Sequence, residues 1–151
     1  MSRVEKITYS SDTIGIIAGA NLNQTRDRLG ATGNSTHGYF GGGQTGPYPT
    51  TPVSTMEKIT YATDTRTALP SSALSGERWG VSATGNSTDG YFGGGYFSAA
   101  KDTMDKITYS TDTTAAVPNA NLITERYRHA ASSARANGLP ASLSTPVPVI
   151  V

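Results

Sequence analysis

Polar and apolar residues alternate along Thr103-Met104-Asp105-Lys106-Ile107-Thr108-Tyr109, placing Ile107 and Tyr109 on one face and Lys106 and Thr108 on the other. That is the period of a half-buried strand. Ser110-Thr111-Asp112-Thr113 follows as turn chemistry, because an Asp side chain can bond its own backbone two residues on. Thr114-Ala115-Ala116-Val117 predicts a weaker strand that Pro118 stops. Upstream, Trp79-Gly80-Val81-Ser82-Ala83-Thr84 ends in Gly85-Asn86, and Gly90-Tyr91-Phe92 breaks at three glycines. Short strands, close turn signals and no amphipathic helix pattern predict a four-stranded all-β unit from Arg78 to Pro118. The Asn-Leu stretch Asn119–Glu125 is helix-tolerant and reads as a link between units.

The unit recurs. Gly-Tyr-Phe-Gly-Gly-Gly stands at Gly38–Gly43 and again at Gly90–Gly95. Lys-Ile-Thr-Tyr begins at Lys6, Lys58 and Lys106, at spacings of 52 and 48 residues. Asp12, Asp64 and Asp112 keep the same beat, as do Arg26, Arg78 and Arg126. Thr32-Gly33-Asn34-Ser35-Thr36 returns as Thr84-Gly85-Asn86-Ser87-Thr88. A period of this size marks propellers, solenoids and other repeat architectures. In the third copy Leu139-Pro140 replaces Tyr-Phe and the glycine triplet does not follow. The expected organisation is three tandem β-repeats over residues 1–140, offset from the unit boundary, then an apolar extended tail over 141–151.

A small-residue strand after Arg78, the run Tyr91-Phe92-Gly93-Gly94, a variable loop and a strand ending in Tyr109 resemble the kelch repeat. The resemblance implies that one four-stranded sheet forms one blade of a β-propeller. One departure is that Ile16, Ala68 and Ala116 stand where kelch units usually carry Trp, and Trp79 lies on another strand. The strings Gly-Tyr-Phe-Gly-Gly-Gly and Thr-Met-Asp-Lys-Ile-Thr-Tyr are also similar to tandem repeats in kelch-like or galactose-oxidase-like structural proteins of marine bacteriophages. That resemblance runs from about Val4 to about Pro140, implies a virion assembled in the host cytoplasm, and carries no catalytic residue. The chain holds half a blade, two full blades and part of another, whereas a closed propeller typically has about four to eight. Oligomerisation would then complete the ring, for instance with two chains. A β-trefoil or β-prism with three-fold pseudo-symmetry, or an open stacked array, has the same strand arithmetic.

Composition narrows the partners. The chain has 12 basic and 11 acidic residues, a net charge of +1 and no basic stripe, which argues against nucleic acid. No apolar run approaches the roughly 18 residues of a membrane span, and the opening Met-Ser-Arg-Val-Glu-Lys does not fit a signal peptide. Cysteine is absent, excluding disulfides, thiolate metal sites and Cys nucleophiles.

Asp12, Asp64 and Asp112 have hydroxyl neighbours as a metal ligand would, but their recurrence reads first as an Asx-type turn. Arg26, Arg78 and Arg126 suit either an anionic ligand or structural pairing between units. Asn34-Ser35-Thr36 and Asn86-Ser87-Thr88 match the glycosylation pattern yet recur as one turn. His37 and His129 are not repeat-equivalent and have no partner at ligand spacing. There is no Gly-x-Ser-x-Gly elbow, and galactose-oxidase copper chemistry needs a Cys ligand. The expectation is no enzyme, no metal and no cofactor.

Gly41, Gly42, Gly43, Gly93, Gly94 and Gly95 suit backbone that passes close to a neighbour. The loop after Gly43 is four residues longer than the loop after Gly95; the first carries Tyr48, the second Tyr96 and Phe97. Exposed aromatics there could stack on sugar rings, pack on a neighbouring subunit, or simply cover the sheet edge. The uncharged tail with Leu143, Val147, Val149, Ile150 and Val151, interrupted by Pro146 and Pro148, reads as an inter-subunit or edge-docking segment. The expected function is a non-enzymatic virion structural protein, a tail- or capsid-associated module for multivalent attachment or decoration. Its expected partners are further copies of itself, other virion proteins and a host-surface glycan. The competing expectation is a monomeric lectin-like carbohydrate-binding module.

Overall fold

The computed structural model describes residues 2–8, 10–46 and 49–133. Strands β1 (Glu5–Thr8) and β2 (Thr13–Ile16) form an antiparallel hairpin. The next unit contains β3 (Arg26–Asp27), β4 (Gly30–Gly33), β5 (His37–Gly41), β6 (Gln44–Thr45), β7 (Thr51–Pro52), β8 (Met56–Thr60) and β9 (Thr65–Ala68). The third contains β10 (Ser82–Gly85), β11 (Asp89–Gly93), β12 (Tyr96–Phe97), β13 (Ala99–Ala100), β14 (Met104–Thr108) and β15 (Thr113–Ala116). Single 3-10 turns at Ala18–Ala20, Pro70–Ser72 and Pro118–Ala120 link the units. Among the described residues there is no α-helix, and no helix long and apolar enough to cross a membrane.

The fold is all-β, and each full unit builds its own antiparallel four-stranded sheet, in the orders β4-β5-β8-β9 and β10-β11-β14-β15. The two registers are the same: Gly41 faces Met56 in one sheet, and Gly93 faces Met104 in the other. Local chemistry fixes these meanders. Asn34 Oδ1 accepts the backbone N–H groups of Thr36 and His37 at 2.9 Å, and Asn86 Oδ1 those of Thr88 and Asp89 at 2.8 Å. The turns after β1, β8 and β14 place Asp12, Asp64 and Asp112 at φ 50, 52 and 53, a left-handed conformation that Asp tolerates better than most residues. The first strand of the third unit starts later than its pattern suggests. Gly80 takes φ 67 and breaks the extended run, so Trp79 stands ahead of β10, bridged to Tyr96.

The core lies between the two large sheets. Tyr39, Met56, Leu69 and Leu74 meet Val81, Phe92, Ile107 and Tyr109 there. The first strands β4 and β10 are neighbours. Thr32, Gly33, Thr84, Gly85, Ser132 and Ser133, equivalent positions in three units, line one open gap. One buried ion pair ties each sheet to the chain that enters it. Arg26 Nη2 donates to Glu57 Oε1 at 2.9 Å, while Nη1 donates to the Thr55 carbonyl at 2.9 Å. Arg78 Nη2 donates to Asp105 Oδ2 at 2.6 Å. Burial lowers the Arg26 pKa, with the Glu57 charge opposing that shift.

Candidate functional site

The chain that leads into β10, and its equivalent at Arg126–Arg128, runs beside the glycine loop of the preceding unit. The residues at this bend, Arg28, Gly80 and Arg128, all have positive φ, at 54, 67 and 55. They are stitched together by backbone: Gly80 N–H donates to the Arg28 carbonyl, and Arg128 N–H to the Gly80 carbonyl, both at 2.8 Å. The glycine loops set the spacing. Gly43 N–H donates to the Arg78 carbonyl and Gly95 N–H to the Arg126 carbonyl, both at 2.9 Å. A Cβ on Gly42 (φ 69) would lie 2.8 Å from the Arg78 carbonyl oxygen, and one on Gly94 (φ 62) 2.5 Å from that of Arg126. Each loop thus abuts the backbone of the following unit with no room for a side chain.

This framework gathers aromatic rings and cations from separate units. Two guanidinium groups lie over the Trp79 ring, that of Arg28 at 4.9 Å and that of Arg128 at 5.0 Å from its centroid. Tyr96 packs against Trp79 at 5.1 Å, Tyr127 meets it edge-on at 5.3 Å, and the two tyrosine rings lie 5.2 Å apart. Tyr127 is exposed, as is Phe97 next along β12. Among the described residues neither Arg28 nor Arg128 forms a salt bridge. Such a surface offers the exposed Tyr127 ring for the apolar side of a sugar and planar donor forks for a carboxylate or sulfate.

The structure brings Tyr96 into this cluster and leaves Phe97 at its margin, beside a groove lined by Glu77, Arg78 and Lys101. Tyr48 lies outside the described residues, as do Leu143, Val147, Val149, Ile150 and Val151. Arg28, Trp79, Tyr127 and Arg128 are absent from the candidates that sequence reasoning selected. Their signal was a repeat position that refuses to repeat: Asp27, Trp79 and Tyr127 are equivalent, each followed by the bend residue.

The repeated polar residues have other work. Asp64 accepts from Lys6 at 2.9 Å; Asp112 accepts from Lys58, and from Tyr39 Oη at 2.7 Å. Burial alone would push the Asp112 carboxyl up, but hydrogen bonds from Lys58 and Tyr39, with the Lys58 charge, hold it below its ordinary value. Among the described residues no group of three or more His, Asp or Glu is placed to hold a metal ion. His37 Nδ1 lies 2.8 Å from Thr36 Oγ1. His129 is beside Gly94, and burial first, then the Arg126 charge, lowers its pKa. Arg126 is exposed, unlike Arg26 and Arg78. No protein-family model matches the chain, and no curated protein matches its sequence.

Proposed function

We propose that this chain is a non-enzymatic recognition module of the kelch-like virion type, whose sheets are propeller blades and whose strand-end surface holds an acidic sugar of a host-surface glycan. The observation that carries the binding role is the gathering of the Arg28 and Arg128 guanidinium groups over Trp79, with Tyr96 and Tyr127 packed on it. The blade reading is supported by β4, β10 and residues 131–133 converging on one gap. The lectin-like alternative with equivalent sugar sites in every unit fits less well, because Asp27, Trp79 and Tyr127 differ at the position that makes the cluster.

A single site of this kind binds weakly, and repeated display on a particle raises its avidity without new contacts. The test is a glycan array probed with the protein clustered on beads. Sialylated or sulfated glycans should be retained over their neutral counterparts, and Trp79→Ala should abolish the difference. Equal retention of neutral and acidic glycans, or retention unchanged by Trp79→Ala, overturns the binding role. Antibody labelling of purified phage particles checks the virion setting.

A further inference from the structure

We propose that a second copy of this chain docks head to tail on the first, bringing Glu5 and Asp12 of its N-terminal hairpin to Arg126 and Lys106. The proposal rests on the side-by-side sheet arrangement and is independent of the sugar site. Residues that the repeat makes equivalent stand in different environments at the two ends of the array. Glu5, Glu57 and Asp105 hold the same place in β1, β8 and β14. Glu57 is 4% exposed and Asp105 0%, each paired with the arginine that enters its sheet. Glu5 is exposed and pairs only with Arg3 on its own strand's approach, at 2.7 Å. At the other end, Arg26 is 4% and Arg78 2% exposed, whereas Arg126 is exposed. Among the described residues Arg126 has no carboxylate partner; its Nε donates to the Thr124 carbonyl at 3.2 Å.

A second series points to the same docking. Lys6 of the first unit pairs with Asp64 of the second, and Lys58 of the second pairs with Asp112 of the third. The members left over are Lys106, which reaches only Asp89 at 3.7 Å, and Asp12, which has no ion pair among the described residues. Continuing the repeat places Arg126 on Glu5 of a second copy and Lys106 on Asp12 of that same copy. Both matches arise from one placement, and each joins a base at one end of the array to an acid at the other.

The apolar residues agree. Ile59 is 3% and Ile107 0% exposed, while Ile7, at the same place in β1, is 54% exposed. β8 and β14 each pair on both edges, whereas β1 pairs only with β2 among the described residues. A second copy would cover Ile7 as the array covers its equivalents. Head-to-tail contacts close into a ring where the rotation allows and otherwise extend as a filament.

The experiment is light-scattering mass measurement of the 151-residue protein across a dilution series, with Glu5→Arg, Arg126→Glu and the double variant. The parent protein should have a mass of two or more chains. Each single reversal should weaken association at least about tenfold, by setting like charges together in the contact, and the double variant should restore it. Asp12→Lys and Lys106→Glu, alone and combined, read the same placement if a first variant melts early. A monomeric parent, or a multimer that both single reversals leave intact, overturns the proposal. Glu5→Arg applied to the glycan array as single molecules separates the two ideas, since it should keep the preference for acidic glycans while losing the multimer.

Discussion

The Tyr39 ring of the second unit stacks on the Tyr109 ring of the third, with centroids 4.8 Å apart and planes 18° from parallel. The Tyr39 hydroxyl then donates to Asp112 at 2.7 Å, so one side chain supplies both the apolar contact and the polar latch between units. Tyr39→Phe keeps the stack and removes the latch, and should cost about 1–2 kcal/mol. Tyr39→Ala removes both and should cost about 3–5 kcal/mol, as large core truncations do. Chemical denaturation of the two variants separates the terms; equal losses would mean the hydroxyl contributes nothing.

The same latch gives acid sensitivity a sign. The Asp112 carboxyl is held below its ordinary value in the folded protein, so its contribution is complete above the unfolded carboxyl range near pH 4 and disappears as pH falls through the lowered folded value. Thermal melts of the parent should therefore fall more steeply below about pH 4 than melts of Asp112→Asn. Parallel acid limbs would remove Asp112 from the account.

Repeat-equivalent arginines should behave differently. Arg78→Ala removes the counter-charge of buried Asp105 and leaves its Oδ2 to the Ser75 N–H and hydroxyl, which should destabilise by about 3–5 kcal/mol. Arg126→Ala should change the stability of a single chain by no more than about 0.5 kcal/mol, because that side chain is exposed. Denaturant midpoints measured at a concentration where the chain is monomeric test the contrast.

Gly94→Val forces a β-branched residue into a left-handed conformation against the Arg126 carbonyl, and Gly42→Val does so against that of Arg78. Each should cost at least about 1–3 kcal/mol. A melting curve unchanged at either position would remove the close approach as a cause of the glycine run.

Trp79 is the single tryptophan, so its emission reports directly on the arginine–aromatic cluster. Sialyllactose should shift or quench that emission and lactose should not. Arg28→Ser and Arg128→Ser should each reduce the response, and each removes a cation–π contact of about 0.5–1 kcal/mol. A response to lactose of equal size would remove the preference for an acidic sugar, and no response to either would assign the cluster to packing alone.

Strands, hairpins and repeat period were legible in the sequence because their causes are local. Alternation along Met104–Thr108, the Asn86 cap and the left-handed Asp112 each act within a few residues; the strand string and the Asp recur three times, and the Asn cap twice, at Asn34 and Asn86. The recurrence of Arg26, Arg78 and Arg126 was legible, but not what each does: Arg26 reaches Glu57 and Arg78 reaches Asp105 within their own units once each sheet has formed, rather than between units, and Arg126 has no carboxylate partner among the described residues. What the tertiary structure alone decided is where equal residues become unequal. Ile7 and Ile107 have the same neighbours in sequence, yet one is exposed and the other sealed, because burial depends on which unit packs beside each. Trp79 likewise becomes a candidate site only when the bends at Arg28 and Arg128, about fifty residues to either side, are stitched onto Gly80. Short-range chemistry wrote the unit three times, and contacts between units gave each copy its own environment.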